Sequence, residues 1–263
     1  MITLLTDFGT EDGYVAAMKG VLSSLVPDAR VVDISHQIPP QSIRRAGLVW
    51  ASSSPWFPPG SIHVAVVDPG VGSSRRIVAF EVDQRLFVAP DNGLISFAFS
   101  KSQIRSVVAI DIKRHGLSRP SDTFHGRDVF SPVAAQLAGG LPVRELGPRL
   151  SKGELVWLGI PKVRTRNTNG RRVHRGEVID IDHFGNVMSN IRIDPKLRVD
   201  VAVAELRLRR IHRSYTGVAV GRPLAIVGSS GYLEVSVRDG NAAGELSLRV
   251  GDAVVVTEQS ESG

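Results

Sequence analysis

Hydrophobic positions in the first 160 residues alternate between short continuous runs and longer stretches with helical spacing. The run MITLLT is typical of a strand buried on both faces. Residues 13–25 then place Val15, Met18 and Leu22 on one face of a predicted helix, which Pro27 ends. This alternation predicts an α/β fold with a mostly parallel sheet and helices on both faces. It continues in the predicted strands ARVVDI and IHVAVV and in the predicted helices over 42–50 and DVFSPVAAQLAGG.

A hairpin interrupts the alternation, because RIVAFEV and RLFVAP are separated only by Asp83 and Gln84. A second change comes near residue 162, where KVRTRNTNGRRVHR carries six Lys and Arg residues and no acid. We interpret 162–175 as a basic linker that continues into the first hairpin of a second domain. Short β-rich runs with frequent turns follow, namely GEVIDID, NVMSNI, VAVAELRLRRI, PLAIVGS, YLEVSV and DAVVVTE.

The chain is therefore predicted to contain two domains. Residues 1–161 form an N-terminal α/β domain, and residues 176–263 form a C-terminal antiparallel β-barrel. The final EQSESG is expected to be disordered.

Composition limits where the protein acts and what it binds. The 263 residues include no cysteine, which excludes disulfides and thiolate metal sites and favours a cytoplasmic location. The N-terminus lacks the pattern of a signal peptide, and no apolar run has the length of a membrane span. The net charge of +6 is compatible with nucleic acid binding, but aromatic residues do not interleave with the basic runs. A solvated basic surface is the favoured interpretation.

Four polar clusters begin where strand-like runs stop, at the edge where α/β sheets bind ligands. In TDFGTEDGY, Asp7 ends a buried strand and could bind the two hydroxyls of a ribose, whereas Asp12 either joins it or caps the next helix. In VVDPGVGSSRR, Asp68 and Arg75 lie on a Gly-rich loop that lacks the Lys-Ser/Thr of a P-loop. The alternative there is a β-turn with a surface Asp–Arg pair.

The other two clusters contain a histidine and an aromatic residue. In SDTFHGRDVF, His125 precedes Gly126 in a loop, and Asp128 could cap the following helix. In IDIDHFGNVMSN, Phe184 and Asn186 offer the stacking face and the amide that an adenine site uses, although a hairpin turn explains them equally well. Other enzyme classes lack support, since G-x-S-x-G, H-E-x-x-H and histidines with metal-ligand spacing are all missing.

Several long motifs, in order along nearly the whole chain, resemble one family. They are LLTDFGTEDGYVAAMKG, VVDPGVGSSRR, VAPDNGLI, DTFHGRDVFSPVAA, IDHFGNVMSNI and GYLEVSVRDGNAA. The sequence resembles the S-adenosyl-L-methionine hydrolases (adenosine-forming), or SAM hydroxide adenosyltransferases, which are relatives of the fluorinase and chlorinase. The resemblance implies hydrolysis of S-adenosylmethionine (SAM) to adenosine and L-methionine without a metal or other cofactor. It also implies a homotrimer in which SAM binds between the N-terminal domain of one subunit and the C-terminal domain of its neighbour.

The resemblance also assigns roles to residues. The family's water-positioning set corresponds to Asp68, Arg75 and His125: Arg75 is expected to stabilise negative charge on the water oxygen, His125 to orient the water and accept a proton, and Asp68 to hold the guanidinium or the ring. The implied substrate-binding residues comprise a ribose group, an adenine group and a methionine group. The ribose group consists of Asp7 and Asp12. The adenine group consists of Phe184, Asn186, Tyr215, Asn241 and Ala242. The methionine group consists of Asp182, Ser229 and Ser230.

Three positions separate this chain from its halogenating relatives. Those relatives carry a tyrosine at the position of Asp68, and the fluorinase carries a serine and a threonine at those of Gly126 and Val71. The fluorinase also has an arginine where this chain has Ser230. Three alternatives remain: a non-catalytic adenosine- or SAM-binding module, a chloride-dependent halogenase, and a nucleic acid binder.

Overall fold

A computed structural model describes residues 1–114 and 121–259. The chain divides into two compact units, residues 1–159 and residues 160–263. No helix in the described part of the chain combines the length and apolar character that crossing a membrane requires. Within the stretch expected to be disordered, Glu258 is instead the last residue of a strand, and 260–263 lie outside the described residues.

Six strands form one sheet in the first unit: β1 (Ile2–Thr6), β2 (Val31–Ser35), β3 (Ile62–Val66), β4 (Ile77–Val82), β5 (Arg85–Pro90) and β6 (Ser106–Ala109). Their order is β2-β1-β3-β5-β4-β6. The β1–β2, β1–β3 and β3–β5 pairs are parallel, whereas β4 is antiparallel to β5 and β6. The predicted mostly parallel sheet is confirmed. The strand β6, which has only four residues, was not predicted from the sequence.

Helices cover both faces of this sheet: α1 (Tyr14–Leu25), α2 (Ile43–Ser53), α3 (Leu94–Ala98) and α4 (Ser131–Ala138). Successive side chains of β3 enter different cores, since Val64 packs with α1 and α4 and Ala65 packs with α2 and α3. Burial on both faces explains why β1 and β3 are continuous apolar runs.

The predicted hairpin is formed by β4 and β5. Asp83 and Gln84 connect the strands with φ angles of 45° and 60°. Two successive left-handed residues match the twist of paired strands, as short hairpin turns require. The hairpin places β4 beyond β5, so β3 and β5 remain neighbours and parallel.

In its described residues, the second unit is a nearly closed, barrel-like sheet accompanied by the short α-helix α5 (Ala242–Glu245). The strands are β7 (Arg164–Thr168), β8 (Arg171–Ile181), β9 (Val187–Ser189), β10 (Val199–Val203), β11 (Leu206–Leu208), β12 (Ile211–His212), β13 (Pro223–Val227), β14 (Leu233–Val237) and β15 (Ala253–Glu258). Their order is β11-β10-β15-β8-β9-β14-β13-β12, and β7 pairs with β8. These pairs are antiparallel except β12–β13. Most of the basic stretch 162–175 lies in β7 and the start of β8.

Candidate functional site

Two predicted site carboxylates follow adjacent strands of the first unit. Asp7 comes directly after β1, and Asp68 lies two residues beyond the end of β3. These strands pair in parallel, with Thr6 opposite Val66. Both carboxylates therefore lie at the carboxyl edge of the sheet, where ligands of α/β folds bind.

Arg75 contacts both Asp68 and His125. The Nε of Arg75 donates to Oδ2 of Asp68 at 2.7 Å, and Nη2 of Arg75 also pairs with that oxygen. The same Nη2 lies 2.8 Å from Nδ1 of His125. The side chains of Asp68 and Arg75 are only 4% and 9% exposed, and His125 is buried. The guanidinium therefore stands between the acid and the imidazole, and Asp68 binds the guanidinium.

This contact network fixes two hydrogen-bonding roles. A guanidinium has only donors, so Nδ1 of His125 is the acceptor, and a neutral ring must carry its proton on Nε2. The other oxygen of Asp68, Oδ1, is buried and accepts no hydrogen bond from a described residue. The cluster thus combines an N–H donor with a buried carboxylate acceptor.

Two backbone features bring His125 to Arg75. In the Gly-rich loop, Gly72 has a φ angle of +79°, and a Cβ there would lie 2.9 Å from the carbonyl oxygen of Asp122. The loop therefore packs directly on the segment that leads to His125. A π-helical turn, Gly126–Phe130, follows His125 and precedes α4.

Gly126 lies under an aromatic cluster of Phe8, Tyr14 and Phe124, whose ring centroids are 5.1–5.9 Å apart. A Cβ at Gly126 would lie 3.1 Å from both the Met18 sulfur and the Phe8 ring, and 3.2 Å from the Phe124 ring. A serine would fit here only if these neighbours moved. The packing therefore favours glycine independently of any role in catalysis.

Three other acidic residues of this unit were predicted to bind a ligand or to cap a helix, and the structure shows different surroundings for each. Asp7 accepts a hydrogen bond from the backbone of Gln41 at 2.7 Å through Oδ2. Asp12 is exposed and α1 has no side-chain cap, so the capping alternative for Asp12 is wrong. The prediction that Asp128 caps the next helix is also wrong. Asp128 is buried inside the π-helical turn, where it accepts from the backbone of Ser121 and pairs with Arg127.

In the second unit, Asp182 organises a tight turn between β8 and β9. Its Oδ1 accepts from the backbone of Phe184 at 2.9 Å and of Asn186 at 2.8 Å, and its Oδ2 accepts from the Asn186 amide at 2.8 Å. The turn holds the Phe184 ring in solvent, with 71% of the residue exposed. An aromatic ring held outward on an ordered turn can stack on a flat ligand.

Tyr215 is the second exposed aromatic residue of this group, at 43%. Partial burial, reinforced by the carboxylates of Glu234 and Asp182, raises the pKa of its phenol. The hydroxyl therefore stays protonated at neutral pH and can donate a hydrogen bond.

The remaining predicted residues lie in two segments near this turn. Ser229 is exposed, and the Ser230 hydroxyl lies 4.0 Å from the Met188 sulfur. Asn241 caps α5 by accepting from the backbone of Gly244 at 2.8 Å, so its side-chain oxygen already has a structural role. Ala242 is fully buried in the core of the unit, which leaves only its backbone for contact with a ligand.

An arginine that the sequence analysis did not single out supports the loop around Ser230. Arg192 donates from Nη1 to the backbone oxygen of Ser230 at 3.0 Å, and its guanidinium lies 3.9 Å from the centroid of the Tyr232 ring. A guanidinium is thus present beside Ser230, although it comes from a residue distant in the sequence.

Glu234 was also missed. It is buried on β14, and the negative charges of Asp182 and Asp180 act on its carboxylate. A single acid in the run YLEVSV is usually a solvent-facing position of a strand, so the sequence pattern carried no signal of burial. Among residues 1–114 and 121–259, no group of three or more His, Asp or Glu side chains is arranged to hold a metal ion.

Comparison with known families matches both parts of the chain. Residues 2–147 match the SAM hydroxide adenosyltransferase N-terminal domain, and residues 176–255 match the C-terminal domain of the same family. These matches include Asp68, Arg75 and His125 in the first range, and Asp182 and Glu234 in the second.

Individual proteins are similar over nearly their full length. A protein from Salinispora tropica named (R)-S-adenosyl-L-methionine hydrolase is 40% identical, covering 97% of this chain and 97% of its own. A fluorinase from an Actinoplanes species is 25% identical, covering 98% and 97%. The crystal structure of an uncharacterized conserved protein from Thermotoga maritima superposes with a TM-score of 0.86 at 33% identity, covering 97% of this chain and all of that one.

Proposed function

This chain belongs to the SAM hydroxide adenosyltransferase family, and we propose that it hydrolyses S-adenosyl-L-methionine to adenosine and L-methionine. The observation that carries the proposal is that the buried guanidinium of Arg75 contacts both Asp68 and His125. It holds a carboxylate that can accept a hydrogen bond and an imidazole N–H that can donate one in the same cluster. The names of the relatives that are 34–40% identical support the same reaction.

In the reaction, a water oxygen forms a bond to C5′ of the ribose while the bond from C5′ to sulfur breaks. The electron pair of the broken bond goes to sulfur, so the leaving group is the neutral thioether of methionine. The attacking water loses one proton. Because no anion departs, the chemistry requires no metal or other cofactor at the leaving group. The protein must mainly align one water with C5′ and stabilise its hydroxide character.

The contacts suggest how the three side chains divide this work. Oδ1 of Asp68 accepts a hydrogen bond from the water and receives its proton, because this oxygen has no other donor among the described residues. The Nε2–H of His125 donates to the water oxygen and orients it. Arg75 positions both partners, and its positive charge stabilises the developing hydroxide. Proton acceptance is thus assigned to Asp68, because Nδ1 of His125 is occupied by Arg75 and Nε2 bears a proton.

Substrate binding is proposed for side chains of both units. Asp7 and Asp12 bind the ribose hydroxyls. Phe184 stacks on adenine, while Asn186 and Tyr215 donate to its edge, and Asn241 and Ala242 support that site through their backbone. Asp182, Ser229 and Ser230 bind the methionine portion. As the family resemblance implies, SAM would bind between subunits of a homotrimer. The absence of cysteine from the sequence supports a cytoplasmic location.

The test is incubation of the purified protein with SAM in water enriched in oxygen-18, with and without chloride, followed by chromatography and mass spectrometry. We expect adenosine that carries the label at its 5′-oxygen, together with unlabelled methionine. A halogenated nucleoside in chloride would instead favour the halogenase. Binding of SAM without any product above the protein-free control would favour the non-catalytic module.

Substitution of the three side chains tests the assigned roles. Asp68→Asn, Arg75→Ala and His125→Ala should each lower kcat about 100-fold or more while KM changes little, because general acid–base groups typically contribute this much. Arg144→Ala, at a side chain that is 82% exposed, is the control and should retain the parental rate. Thermal denaturation must show that the variants are folded, since breaking a buried ion pair costs about 3–5 kcal/mol. Three folded variants with parental rates would show that the role assignment is wrong.

A further inference from the structure

Glu234 is a buried acid on a strand that otherwise contributes to the barrel core. Its neighbours Leu233 and Val235 pack in the core of the second unit, so the Glu234 side chain lies on the opposite face of β14. Glu234 is nevertheless only 8% exposed. The segment 228–231 explains the burial, because a Cβ at Gly228 would overlap the Glu234 carboxylate.

The surroundings of Glu234 are acidic. Glu234 lies opposite Met188 on β9, and Met188 lies opposite Asp180 on β8, so the two acids flank Met188 on one face of the sheet. Asp182 follows two residues after Asp180. Burial and the charges of Asp182 and Asp180 raise the pKa of Glu234 to about 7.

No cation balances this carboxylate within the part of the chain that the structure describes. Residues 1–114 and 121–259 provide neither a hydrogen-bond donor nor an ion pair to the Glu234 carboxylate. The carboxylate of Asp182, in contrast, accepts three hydrogen bonds from Phe184 and Asn186. A buried acid without a partner is destabilising. A cationic ligand would remove that penalty.

We propose that Glu234, beside Asp182, is a specificity-determining residue that binds the α-ammonium group of the substrate, an inference that rests on the proposed function. SAM has two cationic groups, but only the ammonium has N–H donors with which to satisfy carboxylate oxygens. The sulfonium must remain at the reacting carbon. Glu234 therefore selects the amino-acid end of SAM, and the adjoining Ser230 hydroxyl, which lies above Met188, covers the same face.

The experiment compares SAM with an analogue in which hydrogen replaces the α-amino group. Glu234→Gln should raise KM for SAM about tenfold and change kcat less than twofold, whereas KM for the analogue should change less than twofold. Gly228→Ala keeps the charge but displaces the carboxylate, and should raise KM for SAM in the same direction. Glu205→Gln, at an exposed acid of the same unit, is the matched control and should leave both constants unchanged.

A pH profile distinguishes a direct role from a structural one. The ratio of KM in Glu234→Gln to KM in the parent should rise between pH 6 and 8, as the parental carboxyl ionises with a pKa of about 7. The other ionisable groups near Glu234, namely Asp180, Asp182 and Tyr215, and the substrate ammonium are present in the measurements on both proteins. A merely structural role would leave the ratio constant.

If Glu234→Gln raises KM equally for SAM and for its deaminated analogue, or if both variants keep the parental KM, the assignment of Glu234 is wrong. The proposed hydrolysis of SAM would be unaffected by either result. If the parent protein releases no adenosine, the proposed function fails. In that event calorimetric titration with SAM and with the analogue still decides the role of Glu234: a selective loss of affinity for SAM in Glu234→Gln supports it, and an equal loss rejects it.

Discussion

Single side chains in this protein differ in how their charge is balanced. Asp68 shares a buried guanidinium with His125, whereas the charges that act on Glu234 within the described residues are those of Asp182 and Asp180. The first arrangement stabilises the charge, and the second penalises it. Neutralisation of the two acids should therefore change stability in opposite directions: removing the charge of Asp68 should lower both activity and stability, whereas removing that of Glu234 should raise stability and impair only substrate selection.

The raised pKa of Glu234 predicts a pH-dependent gain of stability in Glu234→Gln. In the unfolded chain the carboxyl has its ordinary pKa of 4.5 and loses its proton before the folded one, whose pKa is about 7. The parent should thus lose stability as pH rises between these values, and the variant should not. This gain in unfolding free energy should be absent below pH 4.5 and reach about 3 kcal/mol above pH 7.

Urea unfolding at several pH values, compared with Glu205→Gln, measures this gain. A constant difference in unfolding free energy between parent and Glu234→Gln from pH 4 to pH 8 would contradict the prediction.

At the scale of elements, the site depends on loops that the strands hold in position. Because β1 and β3 are adjacent and parallel, they deliver Asp7 and Asp68 to one edge. The Gly-rich loop then folds against the segment before the π-helical turn, and the close approach at Gly72 sets the distance from Arg75 to His125.

Gly72→Ala should therefore uncouple Arg75 from His125. The new Cβ would lie 2.9 Å from a backbone oxygen of Asp122, so the loop must shift, and kcat should fall at least tenfold. Gly60→Ala is a matched control, because Gly60 has a φ angle of +80° and open space around its Cβ position. Both variants should lose about 1–2 kcal/mol of stability from left-handed strain, but only Gly72→Ala should lose activity. Equal kcat values, measured well below the unfolding temperatures, would contradict this explanation.

At the scale of the whole molecule, the proposed site residues are divided between two compact units. The proposed water-binding set belongs to residues 1–159, and the proposed adenine and amino-acid groups belong to residues 160–263. Each unit has its own core and sheet, so either set can be impaired without disturbing the core of the other. This separation permits a complementation test of the proposed intersubunit site.

Two variants with little activity, Asp68→Asn and Phe184→Ala, should restore activity when they are co-expressed in equal amounts. If each site joins the first unit of one subunit to the second unit of its neighbour, about a quarter of the sites in random cyclic trimers contain two intact halves. Sites formed within one chain would recover nothing. Sedimentation of the parent should give three times the mass of one chain, and a monomer would rule out the shared site.

The sequence alone determined the layer architecture and singled out Asp68, Arg75 and His125 as candidate residues. Continuous apolar runs, helical spacing and turn residues are local signals, so they predicted the strands and helices around Asp68 and His125, and the motifs that carry these residues supported the family. The contact between Arg75 and His125, which spans 50 residues, could only be seen in the fold. Tertiary structure also decided that Asn241 caps a helix, that Arg192 reaches Ser230 and that Glu234 is buried. Burial and charge balance depend on what packs across strands and loops, and the order of residues along one strand does not contain that information.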